Sequence, residues 1–125
     1  MSVIATDEGF ARGDWTEANT AMDLPSDTDP ATLMGRLEGI ERIRVDFPSF
    51  ADGRGFTIAR QLRLMGYEGR LRAKGHIIAD QYAMARRSGF DEVEISEEIA
   101  ARQPEDQWLF RANWRAHDYQ SRLRG

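Results

Sequence analysis

The 125-residue chain contains no cysteine. Disulfides, thiolate metal sites, cysteine-bound iron–sulfur clusters and thiol redox cycles are therefore excluded for its own residues. Histidine occurs only at His76 and His117, with no metal-ligand spacing, so neither a metal nor a cofactor is expected. Lysine is nearly missing too: Lys74 is the single lysine among 17 basic residues, and the rest are arginine. A net charge of -4 and a pI near 5.2 leave no basic excess for neutralising phosphates, which argues against a nucleic-acid partner. No apolar run approaches the roughly 20 residues of a membrane span. The acidic start MSVIATDEGF has neither the basic nor the apolar region of a secretion signal, so the expected location is the cytoplasm, with no membrane contact.

What the chain does have is 41% hydrophobic residues, enough for one core of ordinary size. Residues 1–29 read as an N-terminal hairpin and loop extension, with the turn formers of LPSDTDP at its end, and residues 30–125 as a single α/β domain with a C-terminal helical tail. Asp29-Pro30 opens a short helix carrying Leu33, Leu37 and Ile40, since Asp can cap free amides and Pro suits the first helical position. RIRVDF (42–47) alternates as a strand, and residues 55–65 have helical spacing with Phe56, Ile58, Ala59, Leu62 and Met65 inward. The cycle repeats with RLRAK (70–74), a helix over 76–88 and the strand EVEIS (92–96), and Gly66-Tyr67-Glu68 matches Gly89-Phe90-Asp91 as a helix exit. This rhythm predicts a βαβαβ core of parallel strands, part of a barrel or a small open sheet.

Strand alternation puts Ile43, Val45, Phe47, Leu71, Ala73, Val93 and Ile95 on one face, and Arg44, Asp46, Arg72, Glu92 and Glu94 on the other. Parallel strands buried on both sides are normally apolar throughout. Two readings stay open: an ion-paired or solvated face in which Asp46, Arg72 and Glu94 alternate in sign, or a face covered by a partner or a second copy of the chain. Ser96 caps a helix beginning EEIAARQ, and Pro104 starts another through Arg122, with Trp108, Ala112, Arg115 and Tyr119 on one side. That aromatic tail suits docking onto its own domain, although aromatic and Arg residues together also make interfaces.

Ligands of α/β units collect outside the carboxyl ends of the strands. There the stretch FPSFADGRGF (47–56) stands out, because Pro48 ends strand pairing while Gly53 and Gly55 permit a sharp turn or close backbone approach. Arg54 offers a bidentate fork, and Asp52 either orients it, takes a proton, or simply caps the next helix. Arg72, Lys74 and His76 belong to the same end of the next strand, with Asp80 and Gln81 on the following turn. Together they form a candidate site for a small oxyanion or an acidic partner residue, with Asp80 one helical turn from His76. No catalytic residue is assigned. The dinucleotide fingerprint lacks its third glycine, no Walker A loop occurs, and Ser49 and Ser88 lack the context of an acyl-transfer nucleophile.

These pieces, namely Phe47-Pro48, Phe50, Asp52-Gly53-Arg54-Gly55-Phe56, Ala59-Arg60, Leu62-Arg63, Gly66-Tyr67, Leu71-Arg72-Ala73, Gly75, Asp80-Gln81 and Gly89-Phe90-Asp91, occur in order over about residues 40–96. In them the chain resembles a bacterial uncharacterised domain family described as a probable oxidoreductase involved in sulfite reduction, with a looser likeness at Asp14-Trp15. Members often carry Cys where this chain has Ser88 and an acidic residue where it has His76. The resemblance implies a sulfur-assimilation setting. Because the chain has no redox group of its own, it is expected to be an accessory protein that docks on the sulfite reductase haemoprotein or its electron donor. A small anion-binding protein or enzyme using the DGRG loop, and a structural homo-oligomer, are the competing expectations.

Overall fold

The alternation in RIRVDF, RLRAK and EVEIS produces strands β4 (Arg42–Phe47), β5 (Arg70–Gly75) and β6 (Glu92–Ser96), joined by helices α1 (Arg54–Leu64) and α2 (Tyr82–Ser88). They form the expected βαβαβ unit, with β4, β5 and β6 adjacent and parallel. The computed structural model describes residues 2–13 and 20–114. Three further strands, β1 (Ser2–Thr6), β2 (Gly9–Arg12) and β3 (Ala21–Leu24), complete an open mixed sheet in the order β2-β1-β6-β5-β4-β3. The N-terminal hairpin β1–β2 pairs antiparallel with β6, while β3 lies parallel to β4 at the opposite edge. Helices α3 (Glu97–Arg102) and α4 (Glu105–Arg111) follow β6.

One sheet face is the core. Ile43, Val45, Phe47, Leu71, Ala73, Val93 and Ile95 are buried on it, beneath Ile58, Ala59 and Leu62 of α1 and Tyr82 and Ala85 of α2. The two helix exits share one geometry: Gly66 and Gly89 have positive φ, and the amides of Tyr67 and Phe90 bond to Leu62 O and Ala85 O. Arg63 staples these exits together, donating to the carbonyls of Tyr67, Gly69 and Gly89 and to Asp91. Trp108 of α4 is fully buried between Phe10 and Tyr82, so the tail docks on its own domain at this residue. The Tyr82 hydroxyl donates to Asp7 in the β1–β2 turn, and Arg86 pairs with the other Asp7 oxygen at 3.1 Å. Burial pushes the Asp7 carboxyl up, but these bonds outweigh it and hold the group below its ordinary value.

The other face is ion-paired. A ladder runs from Asp23 to Arg44 (2.7 Å), Glu94 (3.2 Å), Arg72 (2.9 Å), Glu92 (2.5 Å) and Arg70 (2.6 Å). Arg72, Glu92 and Glu94 are at most 4% exposed. The expected sign alternation therefore holds for Arg72 and Glu94, whereas Asp46 is exposed and sits opposite Lys74 in register.

Several boundaries differ from expectation. Asp29 does cap a helical turn, accepting from the Ala31 amide at 3.0 Å, but only the 3-10 turn Pro30–Leu33 forms, because Gly35 and Gly39 take positive φ. Residues 76–78 are not helical: a 3-10 turn covers Ala79–Gln81 before α2 begins, and Gln81 receives the Ile78 amide. The helix expected from Pro104 through Arg122 closes at Arg111, and Arg115, His117 and Tyr119, like Asp14 and Trp15, lie outside the described residues. Strand β3 was not expected, since AMDL is short and mixed.

Removing one partner of a buried ion pair leaves an uncompensated charge, at a cost of about 3–5 kcal/mol. Arg72→Met should therefore lower the urea midpoint by an amount equivalent to that loss, and Asp23→Asn, at the exposed end of the ladder, by under about 1 kcal/mol. Equal effects would rule out burial as the origin of the difference.

Candidate functional site

The DGRG turn closes on itself. Asp52 Oδ1 accepts from the Arg54 amide at 3.1 Å and from Arg54 Nε at 3.0 Å, and Oδ2 accepts from Nη2 at 2.7 Å. Arg54 Nη2 also donates to Ser26 Oγ at 2.9 Å, linking the turn to the loop after β3. Asp52 thus orients its own arginine and, from the position before the N-cap Gly53, accepts the first amide of α1. The Arg54 side chain is nevertheless 61% exposed. These hydrogen bonds, those from Arg54 first, hold the Asp52 carboxyl well below the usual carboxylate range.

Of the two glycines, Gly55 serves packing. Neither has positive φ. A Cβ on Gly55 would lie 2.4 Å from the Phe47 ring, so the start of α1 rests directly on that ring, while Gly53 has ordinary space. Gly75, at the end of β5, does need glycine: its φ is +122°, and a Cβ would lie 2.5 Å from Phe47 O. That same carbonyl accepts the His76 amide at 2.9 Å and lies 3.2 Å from His76 Nδ1.

The predicted site residues separate into groups. Asp52, Gly53, Arg54 and Gly55 form the self-paired turn, and Arg54 lines a shallow depression with Ser26, Thr28, Thr57 and Ile58. Lys74 and His76 border a different cavity of about 280 Å³ with Ser2, Glu94, Ser96 and Ile99. Lys74 stands between Asp46 and Glu94 in register, two carboxylates that offset its charge towards an anion. Arg72 belongs to the buried ladder. Asp80 pairs with Arg111 of α4 at 2.7 Å, and His76 instead meets the Phe50 ring edge-on at 5.1 Å. Gln81 donates to Phe50 O at 3.2 Å. Ser88 is buried, its hydroxyl donating to Met84 O at 2.8 Å.

Three contributors escape sequence reasoning. Ser26 reaches Arg54 across 28 positions, with no local signal for the contact. Phe50 is 46% exposed and Phe110 76% exposed, with the Arg111 guanidinium 5.2 Å from the Phe110 ring centre. Contacts run from Phe50 through Gln81 and Asp80 to Arg111 and Phe110, so the carboxyl end of the sheet carries a surface with two exposed aromatics. The signal available was an apolar residue inside a turn otherwise built of turn formers.

Because the Asp52 pKa is depressed in the folded chain, its stabilising effect is fully present above the ordinary aspartate range and is lost as pH falls through the folded value. A carboxyl-carbon NMR titration should therefore find Asp52 still ionised near pH 3, and Arg54→Ala should move its transition up towards the ordinary range, the hydrogen bond from the amide of residue 54 retaining part of the depression. An ordinary transition in the unmodified chain would refute the self-paired turn.

Among the described residues no group of His, Asp and Glu is placed to hold a metal ion, and no helix is long and apolar enough to cross a membrane. No curated protein and no solved structure matches the chain. Its residues 21–125 match the family described as "Bacterial protein of unknown function (DUF934)", and the chain belongs to that family.

Proposed function

We propose that the chain is a cytoplasmic accessory protein of assimilatory sulfite reduction, docking on the sulfite reductase haemoprotein or its electron donor through the surface from Phe50 to Phe110. The observation that carries this reading is the exposed Phe50 ring on a braced turn. Its carbonyl is held by Gln81, its ring by His76, and the following Asp52-Arg54 pair is tied to Ser26. Aromatic anchors that lose little freedom on binding dominate protein interfaces, and Arg111 beside Phe110 adds a second residue type enriched there. The sulfur-assimilation setting comes from the family resemblance, and the lack of cysteine suits a role beside a redox enzyme. Anion binding has less support, since Asp52 engages both the Arg54 amide and its guanidinium.

Tagged protein would be recovered from native cells growing on sulfate alone, beside the variants Phe50→Ala and Phe110→Ala, with bound proteins identified by mass spectrometry. The haemoprotein or its electron donor should accompany the wild type and fall at least about tenfold with either variant, a loss of roughly 1.4 kcal/mol. Absence of both from the wild-type sample, or equal recovery with folded variants, would overturn the docking role.

A further inference from the structure

At the amino ends of the parallel strands, opposite the Phe50 surface, lies a further concavity of about 540 Å³. Its walls are the 34–40 loop before β4 and the turn from α1 into β5. Met34, Leu37, Ile40 and Met65 supply apolar surface, and Glu38 and Glu68 supply exposed carboxylates. Among the described residues lining it there is no Lys, Arg or His. Nearby Arg63 is committed to backbone carbonyls and Asp91. Met34 is 71% exposed, and Leu64, next to Met65 in sequence, is 74% exposed. The wall also contains Tyr67, 7% exposed, whose hydroxyl has no hydrogen-bond partner among the described residues. Such unmet polar groups are costly and are relieved when a partner arrives.

We propose that this groove binds a basic amphipathic helix of a partner protein, its apolar side against Met34, Leu37, Ile40 and Met65 and its Lys or Arg side chains against Glu38 and Glu68. Three arguments favour that occupant. The volume suits a few apolar anchors at helical spacing. Flexible methionine side chains adapt to such anchors, as at other helix-receiving grooves. Exposed Arg36 belongs to the same loop but not to the lining, where Glu38 and Glu68 are the charged residues, so a cationic flank gains affinity and an acidic one is disfavoured. The walls are loop and helix end and offer no strand edge, which disfavours an added strand. This inference does not depend on the docking role of the Phe50 surface, and it gives the chain two docking faces at opposite ends of its sheet.

The test uses the full chain with methyl-labelled methionine and a synthetic 18-residue helix of Leu and Lys in amphipathic order, beside a peptide of the same composition in scrambled order. The ordered peptide should bind at least about tenfold tighter, shifting the Met34 and Met65 methyl signals while leaving Met84, exposed on α2, unchanged. The double variant Glu38→Lys/Glu68→Lys, both changes being at exposed positions, should weaken binding at least about tenfold. Equal affinity for the scrambled peptide, unchanged affinity in the folded double variant, or shifts confined to Met84 would overturn the proposal. So would a groove filled by a second copy of the chain, seen as a dimer by light scattering that the double variant abolishes.

Discussion

The Arg72 guanidinium, buried between Glu92 and Glu94, is the constraint on which the rest of the sheet depends. Buried like this, each ion has lost most of its hydration, and only close pairing offsets that loss. The pairing is possible in one strand register. A slip of one residue would turn Arg72 towards α1 and α2 and bring Leu71 or Ala73 to the charged face. The ladder therefore supplies register specificity more than net stability. It reaches β3 through Arg44 and Asp23, so a four-residue edge strand is tied to the same alignment.

A second constraint centres on Phe47, the last residue of β4. Its ring occupies the space a side chain at Gly55 would need, and its carbonyl occupies the space a side chain at Gly75 would need. The end of β4, the start of α1 and the end of β5 consequently meet at one residue, and His76 bonds to the same carbonyl. This explains why the DGRG stretch takes its form. Its Gly55 brings backbone onto an aromatic ring, its aspartate accepts the first amide of α1, and its arginine ties the turn to Ser26. The outcome is a braced rim on which Phe50 and His76 project in a set relation.

The core was legible in the sequence because it rests on two regular signals: alternation in 42–47, 70–74 and 92–96, and helical spacing between them. The matching exits at Gly66 and Gly89 were legible for the same reason, since a left-handed residue at a helix end favours glycine. Other features depend on contacts between distant residues and leave no local trace. Strand β3 is defined by its neighbour β4, Arg63 by carbonyls brought together from two exits, and Arg54 by Ser26. The proposed grouping of Arg54, Lys74, His76 and Asp80 assumed that shared position at the strand ends meant shared direction. Side-chain pairing decided otherwise: Arg54 turns to Ser26, and Asp80 to Arg111.

The near-exclusive use of arginine acquires a structural consequence whatever its origin in the coding sequence. A planar guanidinium can bridge two or more acceptors at once, which the single ammonium point of lysine does less well. Arg72 spans two glutamates, Arg44 an aspartate and a glutamate, and Arg63 three carbonyls and Asp91. So many cations are spent on bonds within the chain that carboxylates such as Glu38, Asp46 and Glu68 are left facing outward. At the amino ends of the strands, Glu38 and Glu68 are the exposed carboxylates beside the apolar groove. At the carboxyl ends the exposed side chains are instead the aromatics Phe50 and Phe110, beside Arg111. The same arginines that align the strands therefore also make the two ends of the sheet chemically different.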